Sequence, residues 1–280
     1  MMQFEDFAKI HGLIIHGVIS HKWVSTPTED HPRSSNGRYK FLGDVGWVQN
    51  WATMDKPEMW KSEIKFAPNP QFTKARNDSF RQRMELANKA SAKAGWIMHQ
   101  TELKSHPYLV KKGFAEDMMP VWDTPEGAGK LVIAMRREGK IVGCQLISEE
   151  GEKKFLYGQT SKGATFTMDA KGIHIFCEGF VTGLSIQAVM RANKMRYTIH
   201  VCFSAGNMKE VAREFSNGII IADNDASGVG ESIAKETGKP YWLSDAVGED
   251  FNDYHLRVGL FKASQSLKKF LMHDDIQHAL

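Results

Sequence analysis

The chain has 280 residues, 42% hydrophobic and 25% charged, which is enough apolar material for one large domain or two to three small ones and too much for disorder. No apolar run of about 18 residues is present, and the acidic opening Met1 to Phe7 lacks the apolar centre of a secretory leader, so neither a membrane span nor export is expected and a cytoplasmic location follows. A net charge of +3 excludes a uniformly polycationic protein, but ten Lys and Arg against three Asp and Glu lie between Lys65 and Lys112, and four acids without a base lie between Asp245 and Asp253, a division that suits a protein holding both a polyanion and a divalent cation.

Residues 1–66 carry short β-like runs, Lys22 to Ser25, Gly37 to Leu42 and Gly46 to Trp51, separated by turn clusters such as Ser34-Ser35-Asn36-Gly37. They predict a small antiparallel module, closed by Pro68 and Pro70. Residues 67–104 form a basic segment. Between 71 and 103 it has no proline and a single glycine, Gly95, and it is filled with Ala, Lys, Arg, Glu and Gln. A long helix is expected there, ending at His106-Pro107. Residues 105–170 read as strands. Leu131 to Met135 and Ile141 to Ile147 flank a turn at Arg136 to Lys140 and predict a hairpin, with a further strand over Lys153 to Tyr157.

After Gly172 the rhythm changes. Strands are expected at Ile173 to Cys177, Thr198 to Phe203, Ile219 to Ala222 and Tyr241 to Ser244. Helices are expected at Val181 to Asn193, Met208 to Phe215 and Gly228 to Thr237. Continuous apolar strands alternating with helices predict a parallel sheet, so residues 171–257 are assigned to an α/β domain and residues 258–280 to an amphipathic helical tail that packs on it. Cys144, Cys177 and Cys202 each lie in an apolar run and form no CxxC pair, so buried thiols are expected and a cysteine zinc site is not. The four histidines of the N-terminal module, His11, His16, His21 and His31, lack paired ligand spacing, so no zinc is expected from them either.

Three acidic sites follow predicted strands: Glu178 in Cys177-Glu178-Gly179, Asp223-Asn224-Asp225 before Gly228, and Glu249-Asp250-Phe251-Asn252-Asp253. In a parallel sheet, ligands sit outside the carboxyl ends of the strands, so these acids are expected to converge. Converging carboxylates repel unless a cation fills the space between them. Mg²⁺ (or Mn²⁺), a hard cation that keeps waters for phosphates to replace, is the expected cofactor. Gly179 and Gly228 are expected to let the backbone approach closely.

On these residues, 171 to about 255 resemble a Toprim domain. The likeness rests on Phe176-Cys177-Glu178-Gly179 with Thr182-Gly183-Leu184-Ser185, and on Ala222-Asp223-Asn224-Asp225 with Gly228. It implies catalytic roles for Glu178, Asp223 and Asp225, and metal ligation by these three with Asp250; Asp253 is a weaker ligand. The preceding stretches His106 to Gly113, Gly143 to Ile147 and Gly151 to Gly158 resemble the first polymerase lobe of phage and plasmid primases, which implies that Lys153 and Lys154 face nucleotide phosphates. His31-Pro32-Arg33, Asn36 to Tyr39 and Gly46-Trp47 extend the likeness, which runs from about residue 10 to 255 and departs from many primases in having no zinc ribbon.

The fold expected is therefore α/β: a Toprim parallel-sheet domain preceded by a mixed α+β lobe and a β-rich N-terminal module. The function implied is a DNA primase that makes RNA primers from nucleoside triphosphates on single-stranded DNA. Lys111, Lys112, Arg33 and Arg38 are candidate DNA contacts, and Trp23, Tyr39, Trp47 and Trp51 are aromatics that stack either on bases or in the module's own core. No GxxxxGK[ST] loop is present, so any replicative helicase is expected to be a separate partner. A Toprim nuclease, or a non-catalytic DNA-binding replication protein, would use the same acids. A topoisomerase would need a further tyrosine-bearing domain.

Overall fold

The computed structural model describes residues 2–17, 20–62, 70–125, 127, 129–273 and 276. It divides into two compact units, Met1–Met84 and Glu85–Leu280.

In the first unit a helix α1 (Phe4–Ile10) precedes four strands, β1 (Ser20–Thr26), β2 (Gly37–Phe41), β3 (Val45–Asn50) and β4 (Glu58–Lys61). They form one antiparallel sheet in sequential order. Alternation along the strands puts Tyr39, Val48 and Trp60 on the inner face, where they bury Phe4, Ala8 and Leu13. Tyr39 is thus a core residue, whereas Trp23 and Trp51 are exposed. Helix α1 and strand β4 carry no strong sequence signal. Each is short and buries only one or two side chains.

Helix α2 (Pro70–His99) begins in the first unit and ends in the second. It stops before the expected His106-Pro107. Glu102–Lys104 instead forms β5, which pairs with β6 (Met119–Asp123), and His106-Pro107 opens a short helix, α3 (Pro107–Lys111). Proline at the first helical position has no amide to lose, and the His106 ring accepts a hydrogen bond from the Tyr108 amide at 3.3 Å, so the dipeptide starts a helix here rather than ending one.

Strands β7 (Gly129–Arg137), β8 (Lys140–Ile147) and β9 (Lys153–Phe155) complete a second antiparallel sheet, ordered β5-β6-β7-β8-β9. The β7–β8 turn places Glu138 and Gly139 at φ 50° and 76°, the doubly left-handed geometry of a two-residue hairpin. One face of this sheet packs Val132 and Cys144 against Ala90, Ala94 and Ile97 of α2. The other sends Leu131, Ile133 and Ile147 into the main core. Burial on both faces explains why β7 is continuously apolar although antiparallel.

The third sheet is ordered β10-β12-β11-β13-β14. Strands β11 (Ile173–Cys177), β12 (Tyr197–Val201), β13 (Ile219–Ile221) and β14 (Tyr241–Trp242) are parallel, and β10 (Phe166–Asp169) is an antiparallel edge on β12. Helices α4 (Phe180–Ala192) and α7 (Phe251–Leu271) share one core with Ile175, Cys177, Ile219 and Ile221. Helices α5 (Ala205–Ala212) and α6 (Val229–Thr237) bury Phe176 and Ile220 on the opposite face. The strand period of two therefore divides each β-strand between two helical layers.

Elements of the structure cross two of the expected segment boundaries. The boundary at 66/67 lies outside the described residues. Strand β10 belongs to the third sheet, so that sheet begins before residue 171. Helix α7 runs through the expected boundary at 257/258 and breaks only at Gly259, whose φ of 81° and ψ of 159° are not helical. Its last turns pack Ala263, Leu267 and Leu271 into the domain's own core. All three cysteines are buried and free. Among the described residues no helix is long and apolar enough to cross a membrane.

Candidate functional site

Glu178 follows β11 directly. Its carbonyl accepts the Phe203 amide at 2.9 Å, and its carboxylate accepts the Ala205 amide at the start of α5. Asp223 lies two residues past β13. Between it and Asp225, Asn224 ties two loops together: its side chain donates to the Ser244 and Ala246 carbonyls at 3.0 and 3.2 Å, and its amide donates to the Glu249 carbonyl at 3.0 Å. That clamp carries Asp250 toward Asp223. Asp250 caps α7 by accepting the Asp253 amide at 2.8 Å.

The glycines serve differently from expectation. Gly228 precedes α6 at φ +67°, and a Cβ there would meet nothing within 4 Å, so the position needs its left-handed backbone rather than the space. The close approach is at Gly230, where a Cβ would stand 2.3 Å from the Asp223 carbonyl oxygen. Helix α6 can pack on the backbone carrying Asp223 only because residue 230 has no side chain.

The acids sense one another. Burial, and then the charges of Glu178 and Asp250, push the Asp223 carboxyl up to about 7 from its ordinary 3.8, with Lys153 opposing. Glu178 is also raised, mainly by burial and further by Asp225, against the Ala205 amide and Lys153. Tyr108 is pushed up to about 12 by burial and by the charges of Asp250 and Asp253. Asp225 is held low by the Ser227 hydroxyl, which donates to Oδ1 beside the Ser227 amide at 2.8 Å.

The acids expected to converge, Glu178, Asp225 and Asp250, each act on Asp223 through their charge. Among the described residues no three Asp, Glu, His or Cys side chains are grouped closely enough to hold one ion. The reason is local. Glu178 leans on the Ala205 amide, Asp225 on Ser227, and Asp250 on its helix cap. The outer acids are neutralised elsewhere. Glu249 takes a two-pronged bond from Arg257 at 2.5 and 2.8 Å, Asp245 shares the same guanidinium at 2.5 Å, and Asp253 pairs with Lys112 at 3.1 Å.

Asp223 is the exception, because its Oδ1 is buried and has no hydrogen-bond partner. A buried carboxylate oxygen without a donor is costly unless a proton or a cation satisfies it. The donor set fits Mg²⁺, which is held by one or two carboxylates and completes its shell with waters and substrate phosphates rather than with an all-protein cage. Asp223 would hold it, with Glu178 and Asp250 adding negative charge from nearby.

The basic candidates separate. On β9 successive side chains alternate in direction, so Lys153 and Lys154 diverge. Lys153 acts on both Glu178 and Asp223, whereas Lys154 pairs with Glu152 at 3.1 Å. Lys111 donates to the Glu149 carbonyl at 3.0 Å, and Lys112 is the Asp253 partner. Arg33 and Arg38 lie in the first unit. Arg33 is exposed, and Arg38 stacks 4.4 Å from the Trp23 ring centroid while donating to Gln49 at 3.0 Å. Sequence reasoning missed Asn224, Lys112–Asp253 and Arg257–Glu249 as supports of the acidic loops. Only the middle position of Asp-x-Asp hinted at the first.

Residues 173–260 match the family model of the Toprim domain. No curated protein sequence matches the chain. Two solved structures are similar at low identity. One is a chain from the bacteriophage T7 lagging-strand DNA polymerase interacting with primase domains bound to an RNA/DNA hybrid and dTTP (14% identity, 62% of this chain and 92% of that one, TM-score 0.43). The other is the primase fragment of the bacteriophage T7 primase-helicase protein (15% identity, 59% and 69%, TM-score 0.41).

Proposed function

We propose that this chain, in which residues 173–260 carry a Toprim domain, is a primase-type nucleotidyltransferase that makes short RNA primers on single-stranded DNA from nucleoside triphosphates. The observation that carries the reading is Asp223: a half-buried carboxylate whose buried Oδ1 has no hydrogen-bond partner, sensing the charges of Glu178 and Asp250 at the carboxyl edge of a parallel sheet, with Lys153 within electrostatic reach. Acids acted on by Lys153 suit a triphosphate, because the lysine and a bound cation offset charge that the carboxylates alone would repel.

Mg²⁺ or Mn²⁺ bound at Asp223 would supply Lewis-acid stabilisation of the phosphates and a lowered pKa at the attacking hydroxyl. The protein's own groups do the rest. Asp223 and Asp250 fix the cation-binding edge. Lys153 meets the triphosphate. Glu178, whose ionised carboxylate is made a stronger base by burial, is the group suited to take the 3′-hydroxyl proton as that oxygen bonds to the α-phosphorus and the bond to pyrophosphate breaks. Asp225 shapes the loop through Ser227 and adds negative charge at Glu178. Arg33, Arg38 and Lys111 are candidate contacts to template phosphates, each tested by its own substitution. A replicative helicase is a partner in trans, and the setting is the cytoplasm of a bacterial or phage-infected cell.

Incubating the protein with random single-stranded DNA, Mg²⁺ and labelled ribonucleotides tests the reading. Short labelled primers are expected, and Asp223→Asn abolishes them. DNA fragments in place of primers would make the protein a nuclease. Normal primer yield from Asp223→Ala combined with Asp225→Ala would reject both activities at this site.

A further inference from the structure

Beside the acids stands a pair of aromatic rings that the reaction described above does not use. Phe155 closes β9 and is 47% exposed, although a side chain of that size is ordinarily hidden. Its ring lies 6.4 Å from that of Phe203, at 80°. Phe155 shares a strand face with Lys153, two residues earlier, and Lys153 is the cation that acts on Glu178 and Asp223. Phe203 comes from the other side of the site, in the loop between β12 and α5. Its amide is bonded to the Glu178 carbonyl at 2.9 Å, and two residues later the Ala205 amide reaches the Glu178 carboxylate.

The backbone at Phe203 has φ +67°. A bulky side chain rarely adopts the left-handed region, where glycine is the undemanding choice. The strain is stored in the turn that holds Glu178, and a large ring is kept at the one position in the turn whose backbone asks for none. Phe203 is partly buried against the main core, whereas its partner ring Phe155 is half in solvent, so the pair keeps apolar surface exposed beside the acids.

We propose that Phe155 and Phe203 form the stacking platform for the base of the nucleotide whose phosphates meet Lys153 and the acids. The proposal rests on the nucleotidyltransferase reading and names the residues that hold the base. Both rings are hydrocarbon and carry no donor or acceptor. The platform therefore distinguishes a nucleotide from a bare polyphosphate, and does not distinguish one base from another.

The test is equilibrium binding to the full-length protein with Mg²⁺ and no template, using ATP in one arm and inorganic tripolyphosphate in the other. Phe155→Ala is expected to weaken ATP by about tenfold while shifting tripolyphosphate by less than about twofold, and Phe155→Trp is expected to restore ATP. Phe203→Gly suits the left-handed backbone and repeats the measurement from the second ring, with the same selective loss expected. Thermal melts of each variant register any loss of fold. Equal weakening of both ligands, or no weakening of either, overturns the platform, as does failure of the wild type to bind ATP. Selective loss of ATP in a protein that makes no primers upholds the platform and rejects the polymerase reading instead.

Discussion

Replacing Asp223 with Asn should stabilise the metal-free protein, although it should abolish activity. The Asp223 carboxyl is pushed up to about 7 from an ordinary 3.8, chiefly by burial and then by Glu178 and Asp250. Below the lower value the group is protonated in both folded and unfolded chains and contributes nothing. Between the two values the folded protein retains a proton that the unfolded chain releases, so stability falls as pH rises. Above about 7 the full cost of an ionised carboxylate with one buried, unpaired oxygen is present. A shift of about three units corresponds to up to about 4 kcal/mol. Asn fills the same volume without charge, and its amide can donate toward the neighbouring carboxylates. Urea unfolding in chelator should therefore show Asp223→Asn more stable than wild type by a few kcal/mol near pH 8, and the two nearly equal near pH 4. Mg²⁺ near pH 8 should stabilise the wild type and leave the variant unmoved. A variant no more stable than wild type in chelator near pH 8 would refute the reasoning, because Asp223 would then lack the unsatisfied environment on which the site depends.

Lys153→Ala should raise the KM for nucleoside triphosphates by about tenfold or more, whereas Lys154→Ala, which removes only the exposed Glu152 pair, should change it by less than about twofold in the same steady-state assay. His200 is buried, bonded to His174 at 3.0 Å, and held down to about 4 mainly by burial, so the unfolded chain takes a proton first and stability should fall by up to about 3 kcal/mol as pH drops from about 6.5 to about 4. His200→Phe, which keeps the stack on Phe176 and Phe215, should flatten that limb in thermal melts across the range. Gly230→Ala should lower the urea midpoint by the equivalent of about 1–3 kcal/mol and reduce primer yield, since its new methyl would meet the Asp223 carbonyl at 2.3 Å.

Much of this architecture is legible in the linear chain. The Ile173–Cys177 run, interrupted only by His174, and the Ile219–Ile221 run are apolar because each strand is covered by helices on both faces, and that pattern separates a parallel sheet from the half-exposed strands of the first unit. Once the sheet is parallel, chain direction alone sends Glu178, Asp223 and Asp250 to one edge. What remained hidden is of two kinds. Elements α1, β4, α3 and β10 span at most about two periods, too few to stand out in the sequence, and they exist because a neighbour buries or pairs with them. The remainder is the choice of partners. The four acids between Asp245 and Asp253 look equivalent in sequence, yet Arg257 takes two of them, Lys112 takes a third from 141 positions away, and Asp250 is left beside Asp223. Lys153 and Lys154 are neighbours along the chain and opposites across a strand. Local periodicity decides which face a residue occupies. Which charge meets which, and which oxygen is left without a partner, depends on distances that only the folded chain defines, because Coulomb and hydrogen-bond energies act through space and not along the backbone.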